Sequence, residues 1–208
     1  MNCNLKPKGN VIPNDVISHI EECMLLTIYY VMKQKYRFGE TRLDRLTKGM
    51  LHHIDNACVA AGGHILHGMC EYLNHKMKLE GMEYGLRTLR DERRDAAEAQ
   101  DVYCMAAQMV LRKEFKWSKM HIMEAVKAFS DHVKRLNVTL TQKSAKPMIS
   151  PEAAAQLAKF GRTVPDESTF EKKQTNFKEV LIPELEGAGL DRIFIDCMLM
   201  KVRNRVMV

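Results

Sequence analysis

The sequence predicts an all-α protein, a multi-helix bundle built from two related helix-corner-helix units plus a C-terminal helical segment. Three observations carry that expectation. Apolar residues recur every three or four positions along most of the chain, and no run alternates with the period of two expected of a half-buried strand. The stretch Val31 to Ile54 returns in pattern 79 residues later, as Val110 to Val133. Glycines, prolines and small polar residues fall between the periodic stretches, where helices start and stop.

In the 79-residue register three positions are identical: Val31 with Val110, Lys48 with Lys127, and His53 with His132. Conservative pairs fall where packing demands them. Tyr36 and Phe38 match Phe115 and Trp117, Gly39 matches Ser118, and Leu43, Met50 and Ile54 match Ile122, Phe129 and Val133. Each copy reads as a helix, an aromatic-x-aromatic corner and a second helix. Such a unit packs against its relative within the chain, or against another copy as a symmetric homodimer.

Taken in order, residues 1–13 are polar with Pro7, Gly9 and Pro13, and read as a flexible arm. Asn14 or Asp15 caps a first helix running to about Tyr36, where Gly39 breaks it. A second helix runs from about Glu40 to Ala61, stopped by Gly62 and Gly63, and a short third follows from His64 to about Leu79. Leu86 to Phe115 reads as one long helix that opens densely charged and turns apolar at Val102. Ser118 caps its partner, which Asn137 ends, giving one helical domain over 14–136. Residues 137–149 read as a linker. The segment 150–208 opens on Ser150-Pro151, a favoured helix start with a stop at Gly161, and closes with helices from about Glu167 to Leu185 and Leu190 to Arg205.

The longest nearly apolar run, Met24 to Met32, is too short for a membrane span, and the N-terminus has no apolar signal region. Six scattered cysteines without a C-x-x-C pair suit a reducing compartment, so a cytoplasmic protein is expected. Fifteen methionines against seven phenylalanines suit an adaptable core or a plastic binding surface. The formal charge of +6 is unevenly placed. Lys33 to Asn56 carries six basic and three acidic residues, Arg112 to Arg135 seven and three, while Asp91 to Asp101 carries two and five. Positive charge therefore follows the repeat, which admits nucleic acid, DNA or RNA, or an acidic protein as partner.

No P-loop, dinucleotide fingerprint, nucleophile elbow or H-E-x-x-H motif marks an enzyme. His52, His53, Cys58, His64, His67 and Cys70 are ligand types for zinc, yet their spacing fits no standard finger, so no metal or cofactor is assigned. The stronger signal is the basic stripe Arg42, Arg45 and Lys48 on a helix after a glycine turn, as in a helix-turn-helix, with Lys116, Lys119 and Lys127 in the second copy. The corner aromatics Tyr36, Phe38, Phe115 and Trp117 read as wedges between helices.

The run Lys35 to Leu46, KYRFGETRLDRL, resembles a motif of small helical proteins from phages and integrated mobile elements of Gram-positive bacteria. That motif is an acidic-aromatic-glycine-phenylalanine-glycine segment followed by a basic-leucine-x-basic pair. Tyr36, Phe38, Gly39, Arg42, Leu43 and Arg45 match it, while Lys35 and Arg37 depart from its acid and first glycine. The second copy keeps Glu114 and Phe115 but has Ser118 in place of the second glycine. The resemblance implies a mobile-element setting, in which such proteins act by stoichiometric binding to a host or phage complex of replication or defence. The expectation is therefore a non-enzymatic interaction protein, such as an inhibitor of a CRISPR-type nuclease. The alternatives are a sequence-tolerant nucleic-acid binder using the basic helix, and a helical enzyme without short motifs.

Overall fold

The computed structural model describes residues 14–63, 65–82, 94–141 and 177–206, and over those residues the chain is helical without a strand. The helices are α1 (Asn14–Tyr36), α2 (Glu40–Ala60), α3 (Leu66–Leu79), α4 (Arg94–Lys113), α5 (Lys119–Thr141), α6 (Phe177–Gly187) and α7 (Arg192–Val206). One boundary departs clearly from the sequence expectation. α5 continues through Asn137 to Thr141, because asparagine weakens a helix interior by only a fraction of a kcal/mol and no glycine or proline follows at once. The first five residues assigned to the linker are thus helical. The expected arm at 1–13, the rest of the linker, the Ser150-Pro151 start, the Gly161 stop and the expected helical residues 86–93 and 167–176 lie outside the described residues.

The two corners share one backbone design in the 79-residue register. After α1 the chain turns at Arg37 (φ 57°), and the Phe38 N–H donates back to the Met32 carbonyl at 3.1 Å. After α4 it turns at Lys116 (φ 58°), and the Trp117 N–H donates to the Leu111 carbonyl at 3.0 Å. Each stop has a left-handed residue followed by a hydrogen bond from the residue six positions on, one residue wider than the six-to-one bond of a Schellman motif, and it likewise satisfies an orphan carbonyl. The next helix begins at once. Gly39 accepts from the Leu43 N–H at 3.0 Å, and Ser118 accepts from the Ile122 N–H at 3.1 Å. Ser118 also caps with its hydroxyl, which accepts from the His121 N–H, whereas Gly39 offers only its extended backbone. The left-handed residue is therefore Arg37, two positions before the glycine that the sequence suggested as the break.

The two units pack within the chain, and they do so reciprocally. α2 lies chiefly on α4, α5 lies more on α1 than on α4, and α1 crosses α4. In each unit the second helix thus packs chiefly on the first helix of the other. Burial follows the register as well: Leu43, Met50 and Ile54 of α2 are buried, as are Ile122, Phe129 and Val133 of α5. α1 and α4 form the centre, with Leu25, Leu26, Ile28, Tyr29 and Met32 of the one and Val102, Cys104, Ala106, Ala107 and Val110 of the other buried in one core. Helices buried on most sides must be apolar on most sides. Their outer flanks are covered differently, α4 by α3 and α1 by α6 and α7.

The C-terminal helices, which the sequence sets apart beyond a linker, belong to this same core through Leu181, Leu185, Ile195, Leu199 and Val202. Polar ties also hold them. Glu22, 2% exposed on α1, sits between Lys178 of α6 and Arg203 of α7. Lys201 donates to Asp44 at 3.1 Å, Arg135 to Glu184 at 2.9 Å, and the Asp191 N–H to the Glu40 carboxylate at 2.9 Å. A carboxylate buried as deeply as Glu22 needs paired cations, and here they come from the far end of the chain.

Candidate binding face where the corners meet

Reciprocal packing brings the two corners together. Phe38 is 2% exposed and its ring lies 5.1 Å from that of Phe115 and 5.9 Å, edge on, from that of Trp117. Tyr36 lies 4.7 Å from Trp117. The four aromatic rings form one cluster at the junction, at separations where offset and edge contacts are favourable. With Phe38 buried and the other three half-buried against the core, these rings are occupied with one another. Burial also raises the Tyr36 phenol above its usual value.

Cations cover this cluster. The Arg42 guanidinium lies 5.6 Å from the centre of the Phe38 ring, Arg45 lies 5.1 Å from that of Phe115, and the Lys35 ammonium lies 5.5 Å from that of Tyr36. Arg37, Lys116 and Lys119 are exposed on the corner residues themselves. The predicted stripe is thus not uniform. Arg42 is exposed at the junction, while Arg45 is committed to Glu114, donating to its carboxylate at 2.9 Å and its carbonyl at 3.1 Å. Lys48 pairs with Asp44 one turn back at 2.6 Å, and Asp44 is shared with Lys201. These two amines hold the Asp44 carboxyl below its usual value against the opposing effect of burial. Lys127 is exposed on α5, two turns beyond Lys119.

The Arg45 to Glu114 contact depends on Gly49, which no motif or turn in the sequence marks. A β-carbon there would stand 2.5 Å from the Glu114 carboxylate and 2.8 Å from a Val110 methyl. Only glycine lets α2 approach α4 this closely.

The histidines and cysteines do not gather. His52 bonds to Asn56 at 3.1 Å and its ring lies 5.8 Å from that of His53, tilted by 54°, and His67 lies between Glu98 at 3.1 Å and Glu71 at 3.5 Å. Cys70 donates to the Glu98 carbonyl, and His64 lies outside the described residues. No group of three metal-ligand side chains occurs among the described residues. Burial pushes the Cys23 and Cys70 thiols up to about 12, which keeps both protonated and unreactive at neutral pH. His132, which the repeat matches to His53, is buried. It stacks 4.1 Å from Tyr30, and burial, with Arg135 nearby, lowers its pKa to about 4.

No helix among the described residues is long and apolar enough to cross a membrane. No protein-family model, curated protein or solved structure matches this chain.

Proposed function

We propose that this is a non-enzymatic protein that acts by binding in fixed stoichiometry, docking the cationic face over its paired corners onto an acidic protein surface. The supporting observation is what occupies the left-handed position of each corner. Glycine adopts that conformation freely, whereas a residue with a β-carbon gives up about 1 kcal/mol there. Both corners nevertheless carry a long, exposed cation, Arg37 in one and Lys116 in the other. Local strain kept at equivalent exposed sites favours a role for the side chains themselves. Arg42, Lys35 and Lys119 extend the same charge around them.

The motif resemblance supports a phage or mobile-element setting, and with it a partner in a host defence or replication complex, such as a nucleic-acid-guided nuclease. The second reading is that the face takes the nucleic-acid backbone directly, favoured by its surplus of cations. The occupied aromatic cluster and the commitments of Arg45 and Lys48 weigh against base stacking and helix-turn-helix readout.

The test is purification from producing cells at low salt, recording the absorbance ratio at 260 and 280 nm and identifying what co-elutes. An acidic protein in constant ratio with a protein-like spectrum is the expected result. Polynucleotide released log-linearly by salt would establish the second reading instead. Elution of the protein alone would count against both.

A further inference from the structure

The contacts where the corners meet come in pairs that the 79-residue register exchanges. Phe38 against Phe115, at 5.1 Å and a tilt of 40°, corresponds to Trp117 against Tyr36, at 4.7 Å and 54°. The edge-on contact of Phe38 with Trp117 maps onto itself and so marks the centre of the exchange. The backbone bonds from Phe38 to Met32 and from Trp117 to Leu111 exchange as well. Polar positions around the rings divide into two sets. Glu114 and Glu124 stand where the other unit has Lys35 and Arg45, so their charges oppose, and Arg45 bonds to Glu114. Arg37 with Lys116, and Arg42 with His121, keep basic side chains in both units, and all four are exposed. Arg42 lies 5.6 Å from the centre of the Phe38 ring, and the His121 ring lies 6.3 Å from that of Trp117, the matching ring.

Resting on the acidic-partner reading of this face, we infer that the partner is a symmetric protein dimer, and that one copy of this chain spans its two-fold axis with one corner on each subunit. A partner using one corner alone would leave the second left-handed cation without a role, although that residue gives up about 1 kcal/mol to stand there. Two identical acidic segments related by a two-fold meet equivalent surroundings at Arg37 and Lys116, which is how a symmetric object is matched. Charge complementarity names acids as the groups presented there. A second copy of this chain would set cations against cations. Joining two weak single-corner contacts in one partner also raises affinity without any further contact.

The full chain is titrated by calorimetry at low salt with capped hexaglutamate, and with two hexaglutamates joined by glycine-serine linkers of graded length. Two single peptides should bind per chain, and one joined peptide, at the best length, at least about tenfold tighter. Arg37→Gly or Lys116→Gly should each remove one peptide site and return the joined peptide to the affinity of the single one. Glycine suits both left-handed positions, so the variants keep the fold. Lys134→Gln, exposed about four turns along α5 from the corner, should leave both affinities unchanged. The complex from producing cells should read by native mass spectrometry as one copy of this chain to two identical partner subunits. One peptide site per chain, a joined peptide no tighter at any length, or a partner held one to one would overturn the inference and leave the acidic-partner reading standing. Binding unmoved by both glycine changes together, or lowered equally by Lys134→Gln, would overturn that reading and the inference with it.

Discussion

Truncating Phe38 to alanine tests whether the two corners truly hold each other. The side chain is 2% exposed, so Phe38→Ala removes nearly all of a buried phenyl ring. Its transfer alone is worth about 1.5–3 kcal/mol. The rings of Phe115 and Trp117 add about 0.5–1.5 kcal/mol each beyond area, and Arg42 about 0.5 kcal/mol at its exposed position. The expected loss is therefore about 4 kcal/mol, within the range of phenylalanine-to-alanine changes in protein cores. Phe115→Ala should cost less, because its ring is only half-buried. A double-mutant cycle on the pair should show coupling of about 1 kcal/mol. Urea unfolding reports it well, since the single tryptophan of the chain, Trp117, sits in the cluster and gives a local signal to set beside far-UV circular dichroism. A loss below about 1 kcal/mol with zero coupling would refute the paired corners, because isolated wedges would not sense each other.

Further outcomes follow from the packing. Gly49→Val should destabilise by about 1–3 kcal/mol by thermal melting, and should weaken Arg45 to Glu114 by displacing the carboxylate from its contact with the glycine. Glu22→Ala removes the buried carboxylate that ties Lys178 of α6 and Arg203 of α7 to α1, so it should cost about 1.5–3 kcal/mol, as for hydrogen bonds to a charged group, and speed hydrogen exchange in α6 and α7 first. His132 holds a folded pKa of about 4 against an ordinary value of 6.5, so the folded state binds fewer protons between them. Its stabilising contribution is present above about pH 6.5 and is lost as pH falls toward 4, with a slope of at most about 1.4 kcal/mol per pH unit. His19 and His53, also lowered by burial, act in the same direction, while Arg135 beside His132 is itself held by Glu184. His132→Phe, which keeps a ring over Tyr30, should flatten that part of the urea-midpoint profile, and an unchanged profile would remove His132 from the account.

The elements with strong helical periodicity were legible in the sequence. Leu43, Met50 and Ile54 announced the buried face of α2, and their partners 79 residues later announced that of α5. The repeat did not reveal that each second helix would lie on the other unit's first helix, because a pattern records which face is buried and not what covers it. The left-handed corners were hidden for a different reason. Sequence rules assign that conformation to glycine, and Gly39 stood nearby to attract the assignment that Arg37 carries. Glu22 went unmarked within an apolar helix because its partners lie more than 150 residues away. Arg45 and Lys48 looked free because helix periodicity shows only that they point outward, whereas Glu114 and Asp44 decide what they touch.

The most direct test of the binding role is the double variant Arg37→Gly/Lys116→Gly, compared with the natural chain for thermal stability and for retention of its co-purifying partner. Relief of the left-handed strain should raise stability by about 0.5–1 kcal/mol per site, less any entropy that glycine adds to the unfolded chain. The account predicts a variant at least as stable as the natural protein that has lost its partner. A variant of equal stability that retains the partner at the same ratio would contradict it, since the two strained cations would then have no part in binding.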